Sequence, residues 1–144
     1  MPEINPLDRD PTGSGTVGRW TVEPDAEALG VLRAEVRTRA ETWGLLEDDL
    51  DVLMLIVSEL VSNAIEHART ASVVIVRRLT LRVRVTVIDG SSAPPLLQPY
   101  DVTAPRGRGL QMVDELAARW GWERHSRGKT VWASVELTRT PPLP

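Results

Sequence analysis

Residues Asp51 to Arg69 read DVLMLIVSELVSNAIEHAR, and the rest of the chain can be laid out around them. Apolar residues recur at Leu50, Leu53, Met54, Val57, Leu60, Val61, Ala64 and Ile65, the i, i+3, i+4, i+7 spacing of one helix face. Val52, Leu55 and Ile56 make the first half apolar on its other sides too, which predicts a helix buried between two layers. Glu59 and Asn63, four residues apart, project together from one flank, with His67 beside them. Polar groups set beside a core are costly unless something pairs with them. Either an arginine and a loop satisfy these two, or a ligand carrying a metal and phosphates does.

Upstream, residues 1–15 are rich in Pro, Gly and Asp and are expected to form a mobile tail. They lack the apolar stretch of a secretory signal. Thr16 to Glu23 alternates as an edge strand would. Pro24 and Asp25 then mark a helix start, with Asp25 as N-cap. Leu29, Leu32, Val36, Ala40 and Trp43 share one stripe of that helix, which should end near Gly44. Glu47, Asp48 and Asp49 place negative charge at the positive end of the central helix.

Downstream, Ser72 to Arg78 and Leu81 to Ile88 are rich in Val and Ile, with Arg82 and Arg84 alternating with Leu81, Val83, Val85 and Val87, which predicts an antiparallel hairpin turning at Leu79-Thr80. Asp89-Gly90 opens a long, proline-broken loop of the kind often used as a lid. Gly107-Arg108-Gly109 leads into a short helix, Leu110 to Arg119. Two last strands, Trp120 to His125 and Lys129 to Leu137, flank a turn at Ser126-Arg127-Gly128. A proline-rich tail, 139–144, ends the chain. The order β-α-α-β-β-loop-α-β-β predicts one α+β domain over residues 16–138: a two-layer sandwich whose mixed, mostly antiparallel sheet is covered on one face by helices.

Composition narrows the function. The 144 residues carry a net charge of −3, so no basic field favours direct nucleic-acid binding. There is no cysteine, hence no disulfide or thiolate metal site, which fits a cytoplasmic protein. No apolar run approaches the roughly 20 residues of a membrane span. With five Trp and no Phe, the tryptophans are expected to supply the bulky core groups. Two motifs mislead. GSGTVG at 13–18 matches a dinucleotide fingerprint, but no strand precedes it and no helix follows. Gly128-Lys129-Thr130 resembles the end of a P-loop, yet Glu123 stands where the first glycine is required.

Several groups could serve one ligand. A carboxamide oxygen such as that of Asn63 suits Mg²⁺, which keeps waters and substrate phosphates in its shell. A carboxylate one turn earlier, Glu59, could deprotonate an attacking hydroxyl. Asp89 either opens a turn or accepts from an exocyclic amine such as adenine's. Gly107 and Gly109 permit close approach of backbone N–H groups to phosphate.

Together these segments resemble the gyrase/histidine-kinase ATPase superfamily, the Bergerat fold. Glu59 to Ala68 (ELVSNAIEHA) looks like its N box, Asp89-Gly90 like its first glycine box, Arg106-Gly107-Arg108-Gly109-Leu110 like its second, and Gly128 to Trp132 like its closing strand. Within it the chain looks most similar to the single-domain anti-sigma-factor serine kinases. The resemblance implies ATP and Mg²⁺ as cofactors and Glu59 as general base toward a serine or threonine hydroxyl. It implies Asn63 as the metal ligand, His67 as a possible phosphate contact, and Asp89 with Gly90 at the adenine, supported by Thr130. Arg106, Gly107, Arg108, Gly109 and Leu110 would form the phosphate-covering lid. The implied partners are a sigma factor and an anti-anti-sigma antagonist, with a possible homodimer. The alternatives are a non-catalytic ATP-dependent binding module and a detached histidine-kinase-type ATPase domain. One departure is that Ser91 and Ala93 occupy glycine positions of the family's first box, followed by Pro94-Pro95.

Overall fold

Helix and strand periodicities in the sequence resolve into eight elements in the computed structural model, which describes residues 16–95 and 109–138. They are β1 (Val17–Val22), α1 (Ala26–Glu41), α2 (Glu47–Ala68), β2 (Ser72–Arg78), β3 (Arg82–Asp89), α3 (Gly109–Leu116), β4 (Arg119–His125) and β5 (Gly128–Glu136). The strands form one sheet in the order β1-β2-β3-β5-β4. All four pairings are antiparallel, so the sheet is not mixed as expected. The rest of the expected α+β architecture holds, with β1 an edge strand. Residues 1–15 and 139–144, expected as tails, and 96–108, most of the expected lid, lie outside the described residues.

Strand alternation sorts the side chains. Val74, Val76, Val83, Val85, Val87, Val131, Ala133 and Val135 are buried on the helix-covered face. Against them α2 lays Leu53, Ile56, Val57, Leu60, Val61 and Ala64, and α1 adds Leu32, Val36 and Ala40. Each buried Val, Leu or Ile contributes about 1.5–3 kcal/mol on leaving water. The core is therefore aliphatic, and the expectation of a tryptophan core fails. Trp20, Trp43 and Trp120 are only partly buried at its margin, and Trp122 is 38% exposed. Trp132 lies on the opposite sheet face with the Arg84 guanidinium 4.0 Å from its ring centroid. Short β-branched side chains fill the space between closely packed layers better than an indole.

The central helix runs longer than its apolar stripe. It begins at Glu47 after Leu46, which provides no side-chain cap, so Glu47, Asp48 and Asp49 meet the helix dipole instead. Leu55 is 42% exposed. The apolar girdle of α2 thus reflects α1 and α3 packed alongside it in one layer, not burial between two layers. Asp25 caps α1, accepting at 2.7 Å from the Ala28 N–H, as its position predicted. α3 ends earlier than expected, because the Ala118 N–H is drawn into the sheet by the Ser134 carbonyl.

Candidate functional site

The site is built where α2 ends. Arg69 takes the left-handed conformation (φ 54°), which stops the helix and turns the chain into β2. One residue later the Thr70 hydroxyl accepts from the Gly90 N–H at 3.2 Å. That bond ties the C-terminal end of α2 to the end of β3, so the helix turns carrying Asn63 and His67 stand near the terminus of the strand that presents Asp89. Gly128 closes the same end from β5. It has φ +150°, and a Cβ there would fall 1.9 Å from the Asp89 carbonyl oxygen, so only glycine fits.

Asp89 lies on the helix-covered face and is 4% exposed. Its cross-strand partner is Lys129. The ammonium lies 3.0 Å from one carboxylate oxygen and 3.2 Å from the other, and both side chains are 1% exposed. The second oxygen also accepts from the Ser91 N–H at 2.9 Å. On the other side of Asp89, the pairing of Val73 with Ile88 carries the ladder on to Ser72, whose buried hydroxyl has no hydrogen-bond partner. Ser72, Asp89 and Lys129 thus form one polar row across β2, β3 and β5 beneath the helices.

This row corrects one expectation. Thr130 pairs with Ile88, so alternation turns its side chain to the uncovered sheet face, away from the Asp89 carboxylate. Its buried hydroxyl has no partner there. Lys129, one position earlier, is the residue that meets Asp89. The signal was present: a lysine in phase with Val131, Ala133 and Val135 must fall on the core face.

Glu59 and Asn63 are half-buried on α2. Among the described residues neither makes a hydrogen bond or ion pair, and Arg33 and Glu66 are the charges that act on Glu59. Partial burial lifts the Glu59 carboxyl above its ordinary pKa; Glu66 adds to the rise and Arg33 opposes it. His67 is exposed one turn further on.

The substituted first glycine box is held by local bonds. The Asp89 carboxylate accepts from Ser91 N–H, and the Ser91 hydroxyl accepts from Ala93 N–H at 3.2 Å. From β4, Arg124 donates to the Ser92 carbonyl at 2.9 Å. Serine at position 91 therefore supplies a turn-forming oxygen that glycine lacks. Arg106, Gly107 and Arg108 lie outside the described residues, and Gly109 and Leu110 open α3.

Comparison with solved structures finds a match to the crystal structure of the RsbU and RsbW domains of Rv1364c from Mycobacterium tuberculosis. The TM-score is 0.65 at 22% identity, over 86% of this chain and 33% of that one. The chain thus spans about a third of the length of that relative. A histidine kinase domain from the Erythrobacter litoralis EL346 blue-light activated histidine kinase matches with TM-score 0.45 and 23% identity, over 77% of this chain and 60% of that one. Comparison with curated proteins finds no match. The profile of the histidine kinase-like ATPase domain matches residues 22–135, most of the chain, and the protein belongs to that family.

Proposed function

We propose that the protein binds Mg-ATP at the α2–β3 end of the sheet and transfers the γ-phosphoryl group to a serine or threonine of a partner protein. The observation that supports this reading is the buried Asp89 carboxylate at the end of β3, which the Thr70–Gly90 bond ties to the end of α2, the helix that carries half-buried Glu59 and Asn63. Asp89 keeps a lone pair for a base amine. Asn63 offers a hard oxygen to Mg²⁺. Among the described residues no three His, Cys, Asp or Glu side chains gather to hold a metal. That donor set suits an ion completed by phosphate oxygens and water rather than an all-protein cage.

Bound Mg²⁺ would neutralise phosphate charge. Glu59 would accept the proton of the attacking hydroxyl, and its raised pKa brings it toward the operating range of a general base. His67 and the segment Arg106–Leu110, with the N-terminus of α3 behind it, would contact the phosphates. A sigma factor and an antagonist carrying the acceptor hydroxyl are the partners proposed, in keeping with the RsbW domain named in the matched structure. No helix among the described residues is long and apolar enough to cross a membrane, and a cytoplasmic site of action is proposed.

Titration calorimetry with Mg-ATP tests binding. Proteins recovered with the chain from its native cell, incubated with labelled ATP, test transfer. Asn63→Ala should abolish Mg-ATP binding. Glu59→Ala should keep binding and lose transfer by about 10²- to 10⁴-fold. Transfer at the wild-type rate by Glu59→Ala would remove the assigned base. A folded protein that shows no heat at millimolar nucleotide would remove the ATP reading.

A further inference from the structure

Lys129 is the only lysine in a chain with 17 basic residues, and among the described residues it is the one cation buried in the core. An ammonium has three donors. The Asp89 carboxylate is its only acceptor among the described residues, with its two oxygens at 3.0 and 3.2 Å. Among the described residues at least one N–H is therefore left over, and the neighbouring Ser72 hydroxyl is also unpartnered. Buried polar groups are nearly always satisfied, so a row with two spare polar functions beside a carboxylate is built for a further polar group.

The pair also decides how Asp89 can act. Parting a buried carboxylate from its cation costs more than one hydrogen bond from a neutral amine returns. A ligand reaching Asp89 must then meet the ammonium as well, and it finds an acceptor and a donor side by side. The edge of adenine offers the complement: an amino group beside ring nitrogen N1, a donor next to an acceptor. Guanine in the same seat would turn its carbonyl oxygen to the carboxylate and its N1–H to the ammonium, two mismatches.

We propose that Lys129 is a base-reading residue, held by Asp89 and donating to N1 of an adenine whose amino group Asp89 accepts. This rests on the nucleotide-binding reading above. A lysine suits the task where an arginine would not, because a single compact ammonium fits a site whose neighbours offer few acceptors.

The test compares ATP, GTP and 1-deaza-ATP, in which N1 is a C–H, by titration calorimetry. Wild-type protein should bind ATP about 10- to 100-fold more tightly than 1-deaza-ATP, the range for a hydrogen bond to a charged group. It should reject GTP by more. Lys129→Met should bind ATP and 1-deaza-ATP alike. A purely structural lysine would lower stability without removing the sensitivity to N1. Because the chain has one lysine, ¹⁵N-lysine labelling gives a single side-chain signal in the wild-type protein, so a variant that fails to fold does not stall the test. That signal should move on adding ATP and stay in place on adding 1-deaza-ATP. Equal wild-type affinities, an unmoved lysine signal with ATP bound, or a methionine variant that keeps the full N1 difference would each overturn the inference while leaving ATP binding intact. Binding of none of the three triphosphates would instead overturn the proposed function.

Discussion

The central helix meets a buried aspartate near each end, and the two are satisfied in opposite ways. Asp49, in the first turn of α2, accepts from the Thr138 backbone N–H and hydroxyl, both at 2.9 Å, and has the helix dipole behind it. Its donors are neutral, and together they fasten the chain beyond β5 to the start of α2. Asp89, near the other end, is matched by a full positive charge from Lys129 and stands next to an unpartnered Ser72 hydroxyl. Neutral donors are enough for a carboxylate whose work is to hold two segments together. A cation with spare donors, placed where helix turns also present Glu59 and Asn63, is more than holding requires. One end of α2 is a fastening, and the other carries the groups proposed to bind nucleotide.

The comparison breaks most visibly at Asp89. Replacing it with alanine leaves the Lys129 ammonium buried without its counter-charge, which should cost about 3–5 kcal/mol in urea unfolding at pH 7. The double variant Asp89→Leu, Lys129→Met should recover most of that loss, because a buried ion pair is often no more stabilising than apolar residues of similar size. Its nucleotide binding should stay absent. Recovered stability with lost binding would separate the pair's structural contribution from its recognition role. Recovery of both would show that Asp89 is no more than a fastening, like Asp49.

Asp49→Ala should cost less, about 1.5–3 kcal/mol, since it removes charge-assisted bonds but leaves only a neutral N–H and a hydroxyl near the surface. Its Mg-ATP affinity should match wild type within error. A fall of tenfold or more would mean that the two ends of α2 are not independent.

How much of this was legible follows from the same residues. The layout of helices and strands could be read because period-two valines and the α2 stripe admit one burial pattern, and the Asp25 cap has a local chemical signature. The Asp89 end was legible in outline, since an acid closing a strand before glycine is conspicuous. The phase of β5 was in the sequence, since Lys129 alternates with Val131, Ala133 and Val135, but its pairing opposite Asp89 was not. GKT offers two polar residues in a row; alternation sorts them by face, while setting Lys129 directly opposite Asp89 requires the register with β3, a tertiary property. Tryptophan placement failed for a related reason: size favours burial, but the spacing of the two layers, which the sequence does not state, leaves room for valine. The phosphate end, Arg106 to Arg108, lies beyond the described residues and rests on motif alone.

The smallest expected change in stability concerns Glu59, and its sign is informative. Burial and the Glu66 charge raise its folded-state pKa above the ordinary value, with Arg33 opposing. The folded protein therefore binds a proton at Glu59 more tightly than the unfolded chain does. Between the two pKa values stability falls as pH rises, and above the folded-state value the whole cost of the half-buried charge is present. Below the unfolded-state value both forms are protonated and the cost vanishes. Glu59→Gln, which removes the charge and keeps the shape, should accordingly raise the melting temperature at pH 7 and leave it unchanged well below the ordinary glutamate pKa. A fastening residue such as Asp49 should do the reverse at neutral pH, losing stability when its charge is removed. Transfer to a partner protein should meanwhile fall by about 10²- to 10⁴-fold in the glutamine variant. A group that destabilises the fold at the pH where it is ionised, and whose removal stops the chemistry, is held for function. If Glu59→Gln instead lowers the melting temperature at pH 7, its carboxylate belongs with Asp49 among the fastenings, and the base must be sought elsewhere.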